Sequence, residues 1–297
     1  MNTLPPELHA YICEFACTDD GETIRALRSV SRYFQEVAKP YLYRTVSASD
    51  EKQVTGLLER LESTPPHLRY IKNLFLASPD VLHPSNAVDP QKLMRIITLA
   101  APTLQTLSFV VHTHLASTSL IARLFRTSFP HLRALIVSGF YPFPSSVGKF
   151  PRLQSLHLLG NRNPHGLFQM STLEDACPAL THLRISGLGA AGLFVYELEE
   201  ALRSEVPGED DECVIPSRVP PSVKRITVQA GPEPAVDGGS RATNTTILKD
   251  MVMVAQLEML KTRKVEEGSG VRLTVLDRAL APISVEALRT DWLDTLA

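Results

Sequence analysis

The chain has 297 residues and a formal net charge of −2, with 44% hydrophobic and 21% charged residues. That is ordinary globular composition, long enough for one large domain or a small domain plus a large one. The near-neutral balance lacks the cationic excess that sequence-independent phosphate-backbone binding needs, so nucleic acid is set aside as a partner. No apolar run approaches the roughly 18 residues of a membrane span, so no membrane association is expected. The stretch Met1-Asn2-Thr3-Leu4-Pro5 has neither a basic n-region nor an apolar h-region, so no secretory leader is expected there. Cys13, Cys17, Cys177 and Cys213 have neither zinc-ligand nor disulfide-framework spacing. The expectation is a reduced intracellular protein of the cytoplasm, the nucleus or both.

The first 47 residues read as a small three-helix module. Pro5 and Pro6 suit a first helical turn, and Leu8, Ile12 and Phe15 follow at helical spacing with Tyr11 beside them. Thr18-Asp19-Asp20-Gly21 breaks that helix, and Ile24, Leu27 and Val30 mark a second. Ser31 is placed to N-cap a third, which carries Phe34, Val37 and Ala38 and stops at Pro40. Three short helices bury little surface alone, so such a module leans on a partner or a neighbouring domain.

The segment Leu4 to Val46 resembles an F-box. The matching residues are Leu4-Pro5-x-Glu7-Leu8, Ile12, and Val30-Ser31-Arg32-x-Phe34, and they span about one-sixth of the chain. Many members carry Trp at the position of Phe34 and Cys at that of Ser31, so this chain keeps the aromatic group without an indole N–H. The resemblance implies docking on the small adaptor subunit of an SCF ubiquitin ligase and, through it, assembly with the cullin. Carried over by position, the adaptor-binding residues are Leu4, Pro5, Leu8, Ile12, Leu27, Val30, Ser31 and Phe34.

Residues 48–66 hold an expected linking helix, Asp50 to Ser63, ahead of a repeat domain over 67–297. Six lines read L-x-x-L-x-L or a close variant, beginning at Ile71, Leu104, Leu132, Leu153, Leu180 and Val223; a weaker seventh is Arg272-Leu273-Thr274-Val275. The intervals of 33, 28, 21, 27 and 43 residues between those starts bracket the roughly 20–29 of leucine-rich repeats, the longer ones implying insertions. The line from Leu153 runs on through Gly160 to Asn161, completing L-x-x-L-x-L-x-x-N. Helix candidates alternate with the lines: Lys92 to Ala101, Ser119 to Ser128, Ser171 to Ala176, Leu193 to Arg203 and Ile247 to Lys264. The alternation predicts an α/β fold with a parallel sheet. It resembles the leucine-rich-repeat half of F-box proteins, a curved right-handed α/β solenoid that holds the target. Residues 205–221, with Glu209-Asp210-Asp211-Glu212, and 231–245 read as long loops. Ser284 to Leu296 reads as a helix capping the last repeat.

Strand alternation sends the residues flanking each middle leucine to the face away from the core. One column is Asn73, Thr106, Ala134, Ser155, His182, Arg225 and Arg272; the other is Phe75, Ser108, Ile136, His157, Arg184, Thr227 and Thr274. The late half of this concave face therefore collects His157, His182, Arg184, Arg225 and Arg272, which are read as the target-binding residues for an acidic or phosphorylated segment. The alternatives are a solvated face or one covered by the Glu209–Glu212 loop.

Two chemical signals are weighed and set aside. Gly187-Leu188-Gly189-Ala190-Ala191-Gly192 spells G-x-G-x-x-G, but His182 and Arg184 interrupt the strand before it and no acid ends the next strand. A repeat turn explains these glycines more simply than a dinucleotide. His112-Thr113-His114 lacks a nearby third ligand. No catalytic motif, metal site or cofactor is expected. The expected role is a non-catalytic substrate receptor; the alternatives are a leucine-rich scaffold whose N-terminal helices only cap the array and a dinucleotide enzyme using Gly187–Gly192.

Overall fold

The computed structural model describes residues 4–16, 19, 21–78, 88–111, 114–141, 143–169, 172–203, 217–234, 241–267 and 270–296. Cys17, Cys213, His112, Thr113 and the Glu209–Glu212 run lie outside them.

Each apolar line becomes one strand of a single parallel sheet. The strands are β1 (Thr45–Ala48), β2 (Asn73–Ser78), β3 (Thr106–Val111), β4 (Ala134–Ser138), β5 (Ser155–Leu159), β6 (His182–Leu188), β7 (Arg225–Ala230) and β8 (Arg272–Leu276), and they lie side by side in chain order. Three helices, α1 (Pro6–Ala16), α2 (Glu22–Val30) and α3 (Arg32–Ala38), precede the sheet. The helices α4 (Glu51–Ser63), α5 (Pro90–Ala100), α6 (His114–Arg126), α7 (Thr172–Ala176), α8 (Gly192–Arg203) and α9 (Arg241–Glu267) fall between strands, and α10 (Val285–Asp294) follows the last. The fold is thus α/β with an all-parallel eight-stranded sheet.

The register repeats from strand to strand. Val46, Leu74, Leu107, Leu135, Leu156, Leu183, Ile226 and Leu273 are successive partners. Strands β2 to β7 also begin in the same way. The amides of Lys72 and Asn73 both donate to Arg44 O, those of Gln105 and Thr106 to Lys72 O, and those of Arg133 and Ala134 to Gln105 O. The pattern continues through Gln154–Ser155, Thr181–His182 and Lys224–Arg225. The leucines face the interstrand helices, where Leu74, Leu76, Leu107, Phe109, Leu156, Leu158, Leu183 and Ile185 share one buried core with residues of α4, α5, α6 and α8.

Three features differ from the sequence expectation. First, Thr45–Ala48 is a strand, so the sheet starts inside the segment assigned to the N-terminal module. The helix expected as a linker buries Val54, Leu57 and Leu61 in the main core, which makes α4 the first member of the helix layer. Second, α9 starts at Arg241, so the end of the expected 231–245 loop is helical.

Third, α10 does not cap the end of the sheet. It lies against β2, on the face opposite the other helices. Trp292, 1% exposed, packs 5.6 Å from the Phe75 ring and donates from Nε1 to Thr106 Oγ1 at 3.3 Å. Trp292 and Leu288 form a second core with Phe75, Ala77, Val110 and Leu159, flanked by Ile136, Ile283, Val285, Leu293 and Leu296. The apolar early half of this face draws an apolar helix onto itself, which removes both from water. Trp292→Ala should therefore lower unfolding stability by about 3 kcal/mol, the lower end for truncating a buried aromatic. Urea denaturation checks this, with Leu296→Ala, at the edge of the contact, costing less.

A candidate interaction surface in two parts

The N-terminal module has an inverted pattern. On α1 the residues turned inward are His9 and Cys13, and Cys13 forms a small core with Ile24 and Ala38. His9 Nδ1 pairs with Tyr33 Oη at 2.8 Å, and its ring meets Tyr33 and Phe34 edge-on. The leucine ladder therefore faces outward. Leu4, Leu8, Tyr11, Ile12, Phe15, Val30 and Tyr33 are all at least 45% exposed. Monomeric surfaces scatter such side chains singly; on α1 they recur at i, i+3 and i+4, which places them on one face.

Of the residues carried over by position, Leu4, Pro5, Leu8, Ile12, Val30 and Ser31 are exposed. The Ser31 hydroxyl caps α3 by accepting from the Phe34 amide at 3.2 Å. Leu27 is half-buried against the Cys13–Ile24–Ala38 core, and Phe34 is half-buried beside His9. Tyr11, Phe15 and Tyr33 were missing from the expected set. The spacing of Tyr11 and Phe15 with Leu8 and Ile12 held the signal on α1, since an apolar ladder predicts a common face but not which way it turns; Tyr33, on α3, had no such signal.

Glu14, on the flank of α1 beside this face, ties the module to the sheet. Its carboxylate pairs with Arg44 at 2.8 Å and Lys72 at 3.1 Å. The Lys72 ammonium, then the Arg44 guanidinium, hold the Glu14 carboxyl below its ordinary range. This contribution is in place above the ordinary carboxylate pKa and is lost as pH falls through the lowered value.

On the sheet face, the register places the expected columns side by side: His182 beside Arg225 beside Arg272, and Arg184 beside Thr227 beside Thr274. His182, Arg225 and Arg272 are exposed and Arg184 is half-buried. Among the described residues none of these cations forms an ion pair. They form a row across β6–β8, beyond the strands that α10 packs on. The face therefore has an apolar half covered by the chain itself and an open cationic half.

His157 does not belong to the open half. It is 8% exposed and pairs through Nε2 with Ser186 Oγ at 3.0 Å. Burial, with a smaller push from Arg184, lowers its pKa from 6.5 to about 3, so the ring is neutral at physiological pH. It cannot supply charge to an acidic ligand there. The unfolded chain binds the extra proton between about pH 6.5 and 3, so stability falls as pH drops through that window. His157→Asn should flatten that decline, by up to about 1.4 kcal/mol per pH unit. Urea unfolding at pH 7, 6 and 5 measures it, and unchanged slopes would refute a buried neutral His157.

The glycine run serves the sheet. Gly187 has φ +82° at a register shift between Ser186 and Leu188. A Cβ on Gly160 would stand 2.6 Å from Gly139 N, and one on Gly231 would stand 3.1 Å from Leu188 O, so these turns stack backbone to backbone. The amides that a dinucleotide phosphate would need are occupied. Ala190 N donates to Asp250 Oδ1 at 3.1 Å, and Ala191 N to Met253 Sδ at 3.2 Å. Asp250, 2% exposed, is itself paired with Arg278. A buried carboxylate at that position repels a phosphate. Among the described residues no three His, Cys, Asp or Glu are grouped to hold a metal, and no helix is long and apolar enough to cross a membrane.

Comparison with protein-family models, with curated proteins and with solved structures finds no match.

Proposed function

We propose that this chain is a substrate receptor of an SCF-type ubiquitin ligase. In this reading residues 1–47 are the F-box, which holds the small adaptor subunit and through it the cullin. The sheet domain is a degenerate leucine-rich-repeat solenoid that holds a protein target. The chain itself is non-catalytic: it brings the target to the ligase, and catalysis by proximity is supplied by other subunits.

The observation that carries the reading is the outward apolar face of the module. Leu8, Ile12 and Val30 stand in solvent while His9 and Cys13 turn inward and Glu14, on the flank of α1, is bridged to Arg44 and Lys72. A helix whose leucines served only to cap the sheet would turn them inward. The cationic row His182, Arg225 and Arg272, with Arg184 beside it, suits an acidic or phosphorylated target, because guanidinium forks match carboxylate and phosphate oxygens. In an SCF assembly the place of work is the cytoplasm or the nucleus.

Co-purification with adaptor and cullin tests this. The wild-type chain should capture both, and Ile12→Asp with Val30→Asp should abolish capture while leaving the melting temperature near that of the wild type, since both side chains are exposed. A folded wild-type chain that captures no adaptor rejects the receptor role and leaves the scaffold reading. Arg184→Glu with Arg225→Glu should retain the adaptor and weaken binding of an acidic target by about tenfold or more, the loss of one to two charge-assisted hydrogen bonds. Targets are found by affinity capture with a version lacking residues 1–47, and unchanged target capture by the charge-reversed pair refutes the cationic row.

A further inference from the structure

A second concentration of positive charge lies where the N-terminal module, the first strand–helix unit and the C-terminal helix meet. A cavity of about 830 Å³ opens there, within the range of roughly 300–1,000 Å³ typical of small-molecule sites. Its charged lining consists of Arg25 and Arg28 from α2, Lys52 and Arg60 from α4, and Arg289 and Glu286 from α10. Five cations against one carboxylate stand in a chain whose net charge is −2.

Four of these five cations, those on α2 and α4, have no ion-pair partner among the described residues. Three carboxylates of the surrounding elements are paired with other cations: Glu14 with Arg44 and Lys72, Glu51 with Lys92, and Glu62 with Arg95. Among the described residues Arg25, Arg28, Lys52 and Arg60 form no ion pair. Glu286, 78% exposed, reaches Arg289 at only 3.7 Å. Arg28 Nε is buried with no hydrogen-bond partner, and a buried cationic donor left unmet is costly. The like charges on α2 and α4 repel one another, and an anion among them would relieve that repulsion.

We propose that this cavity binds a small soluble molecule carrying clustered phosphate groups. Guanidinium and ammonium groups converging from three directions match several phosphates on one compact ligand better than a single carboxylate. A cavity of this size also suits a small molecule rather than a nucleic-acid strand, which needs a long cationic track. Because the lining joins α2, α4 and α10, a bound polyanion would clamp the module and the C-terminal helix to the same edge of the sheet, and so raise stability by mass action.

Inorganic tripolyphosphate is the probe, titrated calorimetrically into the full chain at low salt, with melting temperature as a second readout. The expected result is one equivalent bound, a raised melting temperature, and affinity that falls as salt rises. Orthophosphate should bind about tenfold more weakly or worse, as should tripolyphosphate to Arg25→Gln with Arg28→Gln, a loss of at least about one charge-assisted contact. Lys52→Gln with Arg60→Gln should show the same loss; both residues are exposed on α4, so an unliganded melting temperature like that of the wild type separates lost binding from lost folding. Arg123→Gln with Arg126→Gln, on α6, should bind as the wild type does. Absence of binding, equal affinity for orthophosphate, or equal affinity across all variants overturns the proposal. So does sedimentation with phosphoinositide-containing phosphatidylcholine vesicles by a chain that ignores free tripolyphosphate, which would assign the charge to a lipid surface.

Discussion

Everything in this molecule hangs on one repeated constraint: eight parallel strands stacked in the same register, so that each middle apolar residue lies beside the next. Once that register is set, alternation sorts every other position. Leucines meet the interstrand helices, and the residues between them meet whatever stands on the other face. The paired amides at the starts of β2 to β7 enforce the register locally, because two successive N–H groups share one carbonyl just ahead of the strand before. The glycine turns enforce it at the other end, where Gly139, Gly160 and Gly231 let neighbouring backbones approach more closely than a Cβ would permit, and Gly187 takes a left-handed φ of +82°. Side chains on the second face then inherit their neighbours. That is how His182, Arg225 and Arg272, far apart in sequence, come to form a row.

The same register explains why the second face is divided. Its composition changes along the sheet, from Phe75, Val110 and Ile136 to His182, Arg184 and Arg225. Apolar area left in water is unfavourable in proportion to its extent, so the early half needs a cover and the late half does not. The chain supplies the cover from its far end. Between β8 and α10, the chain is held at the end of β7, where Ala279 N donates to Ala230 O and Arg278 to Gly231 O, and Trp292 joins a hydrogen-bond line with Thr106, Asn73 and Thr45. A partner approaching this face meets α10 over the early strands and open cations over the late ones.

How much of this could be read from the sequence follows from how local each cause is. The strand lines, the alternating columns and the Ser31 cap were legible because period-2 alternation and capping chemistry act within a few residues. The strand Thr45–Ala48 was harder, since Thr-Val-Ser-Ala has one strong apolar residue and its identity comes from pairing with Asn73–Leu76. The place of α10 was not legible. Its contact with Thr106 spans 186 residues, and nothing in Trp292-Leu293 says which apolar surface it will find. His157 failed for a related reason: its column position was right, but packing around it, not strand alternation, decides whether a column residue meets water. The cation cluster at Arg25, Arg28, Lys52, Arg60 and Arg289 joins three segments and leaves no short-range trace.

The module shows why exposure there carries energetic meaning. Its own buried core is Cys13, Ile24 and Ala38, with Leu27, Val37, Tyr41 and Leu42 packed partly against it. Small residues at its centre bury little area, and three helices of 11, 9 and 7 residues are too short to be stable by propensity. The larger apolar residues, Leu8, Ile12, Phe15 and Val30, spend their hydrophobicity on the outside. Turning those residues inward would give a tighter module and a closed surface. As the chain stands, the module is kept folded by continuity into β1 and by the Glu14 bridge to Arg44 and Lys72. Among the described residues nothing covers this outward apolar face. A protein that covered this face would therefore bind and stabilise in one step, by the linkage that makes any ligand of the folded state a stabiliser of it.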